Sequence, residues 1–327
     1  MRGRYSAMTL ALASLLPLAS SHAADTKLVK AVSDHFELYT TDNDAAAKAA
    51  LTHFETVRGY LLKSMRAADP FTAPVRIFGF KATAEYEFYV PKGGDLTSKA
   101  FSATAGDRVV IGMSSLKKDD YQFGVREYAA LLLARLDPKM PYWLKLGLSE
   151  LYSTLRPEEG TIAMGEEPMR SFHSEVSSDL DMQVMFALKG GISRNKGAEQ
   201  FYGDNSQTGI ANSKAGAKMA NMEGTTTVDY PMVLWQLTHM LMFKKEYSPK
   251  FGALVGALND QNTVSAIQQV FGQSLEGLKY DLMLYIQMPS HEVLHLKYQL
   301  DSPVKPQVSQ LSPADSAPVL AELKTAK

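Results

Sequence analysis

Two apolar helices joined by a short proline-containing turn occupy the middle of the chain. Residues 122–136 fit one helix, in which a run of three leucines faces a core. The second helix begins at Pro141 and continues to Thr154. Side chains four residues apart are neighbours on a helix, so Arg126 and Ala130 share one face of the first helix. The two apolar helices together predict that this part of the fold is mainly helical.

Strand patterns precede the two helices. They fall at residues 36–39, 75–80 and 107–113. Residues 45–65 place apolar side chains at helical spacing, and Asp42 or Asp44 is available to cap the start of this helix. Residues 33–115 therefore predict an α/β part, and residues 120–287 predict a mainly helical part. The expected fold class is α+β, with a small mixed β-sheet and one helix followed by a mainly helical subdomain.

The first apolar helix has the layout of a zinc-peptidase helix without its metal ligands. A His-Glu-x-x-His helix binds zinc through His residues at i and i+4, and the Glu between them activates the zinc-bound water. Glu127 stands at the position of this base, but Arg126 and Ala130 stand at the two His positions. In the second helix, Leu146 stands where a third, carboxylate ligand is expected, while the later carboxylate is present as Glu150.

Several segments carry a family resemblance in a fixed order along the chain. They are His35–Thr41, Pro74–Phe78, Arg126–Tyr128, Trp143–Thr154, Tyr230–Leu241 and Val270–Tyr285. Together they resemble the peptidase-MA-like, gluzincin-type family of bacterial secreted proteins of unknown function, over residues 33–287. The resemblance implies a gluzincin-like fold, with Glu127 at the general-base position. It also implies a cleft beside Trp143, with Tyr230 on a neighbouring helix.

All three metal-ligand positions depart from the family's pattern, so we expect no zinc and no cofactor. Ala130 and Leu146 have no donor atom, and a guanidinium cannot lose its proton to bind a metal. We expect Arg126 to supply the missing positive charge by pairing with Glu127 or Glu150. The alternative is that Arg126 points to solvent and Glu127 is an ordinary surface residue.

A literal zinc motif lies near the end of the chain, between His291 and His295. Residues 291–300 alternate between two faces, one of them mostly apolar, which indicates a strand within residues 288–301. In a strand the two His residues would lie about 13 Å apart, beyond the reach of one zinc ion with bonds of about 2 Å. A helix capped by Ser290 would bring them together, so a zinc site at His291 and His295 stays open as an alternative.

The remaining residues and segments contain no further catalytic or metal-binding motif. His239 lies in an apolar helix, where a hydrogen-bonded core imidazole is expected, and Tyr230 either packs or shapes a peptide groove. Residues 164–228 indicate a long irregular region that is either near a cleft or on the surface. Residues 302–327 are rich in Pro, Ser and Ala, and we expect a tail with little fixed structure.

The first 23 residues have the pattern of a secretory signal, with Arg2 and Arg4 before an apolar run and a cleavage site at Ser21–Ala23. Removing these two arginines takes the formal charge from -1 to -3, because the segment contains no acidic residue. Such a charge predicts no nucleic-acid partner and no anionic membrane partner. The chain has no Cys, which excludes disulfides, thiol catalysis and thiolate metal sites.

These observations predict an exported, periplasmic or secreted protein without a membrane span. The main hypothesis is a pseudopeptidase that has lost zinc and binds peptides or envelope proteins, with an extended peptide added to a sheet edge beside the cleft. One alternative is a working zinc peptidase with non-standard ligands. Another is a structural envelope protein without a ligand.

Overall fold

A computed structural model describes residues 27–90, 99–105, 108–169, 180–188, 230–259 and 262–326. It combines a mixed β-sheet with helices, so the prediction of an α+β fold is confirmed. The expected signal segment 1–23, the loop expected at Gly93 and Gly94, and most of residues 164–228 lie outside the described residues. None of the described helices is long and apolar enough to cross a membrane.

The main sheet has six strands in the order β4-β5-β3-β2-β1-β9. The strands are β1 (Val29–Val32), β2 (Phe36–Thr40), β3 (Val75–Gly79), β4 (Ala100–Ala105), β5 (Arg108–Met113) and β9 (Gln307–Gln310). The three central strands β2, β3 and β5 run parallel, and each of the other strands is antiparallel to its neighbour. The predicted strands β2, β3 and β5 are confirmed, whereas β1, β4 and β9 were not predicted.

Helix α1 (Asp44–Met65) packs on β1 and β2 of this sheet. Its apolar face is buried, and the ring of Phe54 lies 5.8 Å from the ring of Phe36. The expectation that Asp42 or Asp44 caps the helix is wrong, because the side chain of Asn43 accepts the hydrogen bond from the N–H of Ala46. Asn43 has the extended backbone that an N-cap requires.

The helical part follows the sheet. Its helices are α3 (Tyr121–Leu136), α4 (Tyr142–Ser153), α6 (Tyr230–Phe243), α7 (Ser248–Ala257), α8 (Thr263–Phe271) and α9 (Leu275–Ile286), with the short helices α2 (Thr83–Glu87) and α5 (Met182–Phe186) elsewhere. Helix α4 packs between α3 and α6. Gly147 allows α4 and α6 to approach closely, because a Cβ atom there would overlap with Thr238 Oγ1 and would lie 2.7 Å from the carbonyl oxygen of Leu234.

A second sheet of three antiparallel strands lies beside the helices. It consists of β6 (Arg156–Glu158), β7 (Thr161–Met164) and β8 (Leu294–Lys297). The strand predicted within residues 288–301 is confirmed as β8. Strands β6 and β7 were not predicted.

The expectation that residues 302–327 form a tail with little fixed structure is wrong, because this segment contains both a strand and a helix. Strand β9 pairs with β1, and helix α10 (Pro313–Thr325) follows it. Leu320 and Leu323 of α10 are buried, and Ser316 Oγ accepts a hydrogen bond from the N–H of Leu28 at 3.1 Å. Arg76 of β3 forms an ion pair with Glu322. The segment therefore adds a new edge strand beside β1, and its helix covers part of one face of the main sheet.

Candidate functional site

Arg126 and Glu127 form an ion pair on helix α3. Arg126 Nη2 donates to Glu127 Oε1 at 2.7 Å, and Arg126 Nε lies 3.2 Å from the same oxygen. The Arg126 side chain is 8% exposed, and the Glu127 side chain is 18% exposed. The predicted pairing of Arg126 with a neighbouring carboxylate is confirmed, and the alternative in which Arg126 points to solvent is wrong. A guanidinium is therefore held against the carboxylate at the general-base position.

Ser102 of strand β4 completes this contact and was not predicted. Its hydroxyl group donates to Glu127 Oε2 at 2.8 Å, so each carboxylate oxygen of Glu127 has a donor of its own. The two donors come from different parts of the chain, because Ser102 lies on the sheet and Arg126 on α3. Glu127 therefore ties the helix to β4, which is an edge strand of the main sheet.

The backbone of β4 turns some of its hydrogen-bonding groups away from β5. The N–H of Ser114 donates to the carbonyl oxygen of Lys99 at 2.9 Å, and the antiparallel register places these two residues opposite each other. Lys99 therefore faces β5, and the alternation along an antiparallel strand directs the N–H and C=O groups of Ser102 and Thr104 outwards. Thr104 is exposed. An extended segment can hydrogen-bond to this outer edge beside Glu127.

The other expected cleft residues occupy three different environments. Ala130 on α3 and Leu146 on α4 are half-buried, and Glu150 is buried within α4. Trp143 was expected at the cleft but lies in the core, where its Nε1 donates to Thr263 Oγ1 at 3.1 Å. Tyr230 is buried at the first residue of α6, the helix that packs against α4. Helices α3 and α4 thus carry Glu127 and all three former ligand positions, Arg126, Ala130 and Leu146, whereas Trp143 has a packing role.

The two histidines of the alternative zinc motif lie in different environments, because His295 belongs to β8 and His291 precedes this strand. His295 lies on the exposed surface of β8, where its Nδ1 is 3.1 Å from Glu158 Oε2 on β6. The His291 ring lies instead against the rings of Trp235, Tyr285 and His239, with centroid distances of 5.2, 5.0 and 5.5 Å. The two imidazoles contact different partners, and they do not form a common site.

His239 is a hydrogen-bonded core imidazole, as predicted. Its Nδ1 accepts from Tyr285 Oη at 2.7 Å, and its Nε2–H is shared between the carbonyl oxygens of Gly165 at 3.1 Å and Glu292 at 3.0 Å. Burial, together with the nearby His291, lowers the pKa of His239 to about 4. The neutral ring therefore joins α6 to α9 and to the segments that flank β7 and β8.

Among the residues that the structure describes, no group of three or more His, Cys, Asp or Glu side chains is arranged to hold a metal ion. No protein-family model, no curated protein and no solved structure matches the chain. The geometry around Glu127 therefore carries the functional argument by itself.

Proposed function

We propose that the protein is an exported, gluzincin-like pseudopeptidase that binds extended peptide segments at the outer edge of β4, beside Glu127. The observation that carries this proposal is the contact between Ser102 and Glu127, which places the peptidase-like helix next to an edge strand. Export rests on the signal pattern of residues 1–23, and the family assignment rests on the ordered segments described above.

The ion pair between Arg126 and Glu127 supports the loss of peptidase activity. A zinc peptidase needs the carboxylate at this position to take a proton from the metal-bound water. In this chain both oxygens of Glu127 accept hydrogen bonds, from Arg126 and from Ser102. The guanidinium also supplies the positive charge that a metal ion would otherwise supply. Glu127 then acts as a structural acceptor that holds α3 against β4.

The outer edge of β4 supports peptide binding. Addition of a strand gives affinity through backbone hydrogen bonds, while side chains on alternate positions give selectivity. The outward backbone groups of Ser102 and Thr104 offer the first two positions of such a ladder. Because β4 is only six residues long, the bound segment is expected to be short.

A proline substitution at the edge tests this mode of binding. Thr104→Pro removes an outward N–H without removing a hydrogen bond to β5, since proline is tolerated where the N–H of an edge strand faces solvent. Thr104→Val keeps the N–H and is the matched control. With a fluorescein-labelled peptide of ten alternating Thr and Val residues, fluorescence anisotropy should show saturable binding to the wild type and to Thr104→Val. Thr104→Pro should weaken it at least about tenfold, which corresponds to roughly 1.4 kcal/mol.

Two results would contradict the proposal. Equal binding by Thr104→Pro and Thr104→Val would exclude the β4 edge as the binding site. Stoichiometric zinc in the purified protein, measured by mass spectrometry, together with peptide hydrolysis that is lost in Glu127→Gln, would exclude a pseudopeptidase.

A further inference from the structure

A cavity of about 200 Å³ lies at the beginning of strands β2 and β3, between these strands, α1 and α3. The lining residues that bear on its chemistry are Asp34, His35, Arg58, Asp69, Phe71 and Tyr128. Tyr128 directly follows Glu127 on α3, but it lies on the side of the helix that faces this cavity. The cavity is therefore separate from the β4 edge, although both are built on α3.

The hydroxyl group of Tyr128 is enclosed and has no hydrogen-bond partner in the described structure. The Tyr128 side chain is completely buried, and its ring contacts Phe36 at 5.3 Å and Phe71 at 5.8 Å between centroids. Burial and the nearby charge of Asp69 raise the pKa of Tyr128 well above its usual range, so the group stays a neutral hydroxyl. Because burying an unpaired hydroxyl is unfavourable, its retention beside a cavity points to a ligand that supplies the partner.

His35 provides a second polar atom in the cavity wall. Glu55 accepts a hydrogen bond from the backbone N–H of His35 through Oε1 and lies against Nδ1 of the ring through Oε2, both at 2.9 Å. A carboxylate can only accept hydrogen bonds, so Nδ1 carries the proton. In the neutral form of the ring, Nε2 is an acceptor, and this atom has no partner in the described structure.

The charged residues of the wall leave one negative charge uncompensated. Arg58 Nε donates to Asp69 Oδ2 at 2.8 Å, so these two charges cancel. Asp69 Oδ1 also accepts from the N–H of Phe71, which fixes the loop that carries the aromatic ring. Asp34 is exposed at the mouth and has no ion-pair partner in the described part of the chain. The wall therefore offers the free carboxylate of Asp34, the hydroxyl oxygen of Tyr128 and, in the neutral form of the ring, the Nε2 atom of His35.

We propose that this cavity binds the ammonium group of a small aliphatic primary amine. An ammonium group has three donors and one positive charge. It matches the carboxylate of Asp34, the Nε2 atom of His35 and the hydroxyl oxygen of Tyr128. The rings of Phe71 and Tyr128 provide the apolar wall for the attached carbon chain, and aromatic faces also attract cations.

Three compounds with the same carbon chain test the proposal. n-Butylammonium, n-butanol and butyrate are titrated into the purified protein at constant ionic strength, and binding is followed by amide chemical shifts in NMR spectra. We expect saturable binding of n-butylammonium at least about tenfold tighter than that of the other two compounds, which corresponds to 1.4 kcal/mol. A parallel titration with N-acetyl-lysine methylamide distinguishes a lysyl side chain from a free amine, since tighter binding of this compound identifies the peptide source.

Two conservative variants locate the binding. Asp34→Asn removes only the free charge at an exposed position, and Tyr128→Phe removes only the unpartnered hydroxyl, so both variants are expected to fold. Each should weaken n-butylammonium binding about tenfold, while Tyr128→Phe should leave the stability of the ligand-free protein unchanged or increased. The proposal is overturned if the wild type shows no saturable binding or prefers butyrate. It is also overturned if n-butanol binds as well as the amine, or if both variants bind like the wild type.

Discussion

The buried imidazole of His239 makes the fold sensitive to mild acid. In the unfolded chain, the ring takes up a proton as the pH falls through its ordinary pKa of 6.5, whereas in the folded protein its pKa is lowered to about 4. His239 therefore contributes its full stability above pH 6.5, loses it progressively between pH 6.5 and 4, and loses no more below pH 4. The difference between the two pKa values corresponds to roughly 3 kcal/mol, at about 1.36 kcal/mol for each pKa unit.

At pH 5 more than half of this stabilisation is already lost. We therefore expect His239 to lower the free energy of unfolding by about 2 kcal/mol between pH 7 and pH 5. The main physical cause of the lowered pKa is burial of the ring, and the nearby His291 is the second cause, whereas the carbonyl oxygens of Gly165 and Glu292 act in the opposite direction. A second imidazole, His53, adds to the acid sensitivity of the wild type, because burial lowers its pKa to about 3.

Urea unfolding at pH 7 and pH 5 measures the effect. His239→Gln should lower the stability at pH 7, and its further loss between pH 7 and pH 5 should be about 2 kcal/mol smaller than that of the wild type. His295→Gln is the matched control, because His295 lies on the exposed face of β8. This variant keeps His239, so it should lose the same free energy of unfolding between pH 7 and pH 5 as the wild type does through His239. Equal acid losses in His239→Gln and wild type would refute the assignment.

Two further substitutions probe the helix pair. Arg126→Met should destabilise the protein by roughly 2–3 kcal/mol, because it removes the charged partner of the largely buried Glu127. The double variant Arg126→Met/Glu127→Gln should recover part of this loss, as measured by urea unfolding in a double-mutant cycle. Gly147→Ala should cost roughly 1–3 kcal/mol by overpacking against α6. Thermal unfolding compares it with Gly252→Ala, where a Cβ meets no atom within 4 Å and a helix interior favours alanine.

The elements that could be predicted from the sequence are those in which periodicity and burial agree. The helices predicted at residues 45–65 and 122–136 are observed as α1 and α3, and each bound lies within one residue of the prediction. Strand β4 was missed because alanines make up half of it, and alanine has a low preference for strands. Its residue Ser102 was therefore missed as well, although Arg126 and Glu127 were identified from the motif.

The prolines near the C-terminus misled the prediction for a different reason. Pro306 and Pro313 flank β9 instead of interrupting it, and Pro313 occupies the first turn of α10, where a missing N–H breaks no helical hydrogen bond. The cavity beside Tyr128 could not be predicted either. It depends on loops between β1 and β2 and before β3, whose side chains meet only when the parallel strands are aligned.

The pairing of β9 with β1 has a consequence for synthesis of the protein. Strand β1, the first strand of the described residues, receives its outer neighbour only after about 280 further residues have been made, since Val29 lies opposite Gln310. During this interval the outer backbone groups of β1 are open to other chains, and such strand edges promote aggregation. The outer edge of β1 therefore stays unpaired with its native neighbour until residues 307–310 emerge.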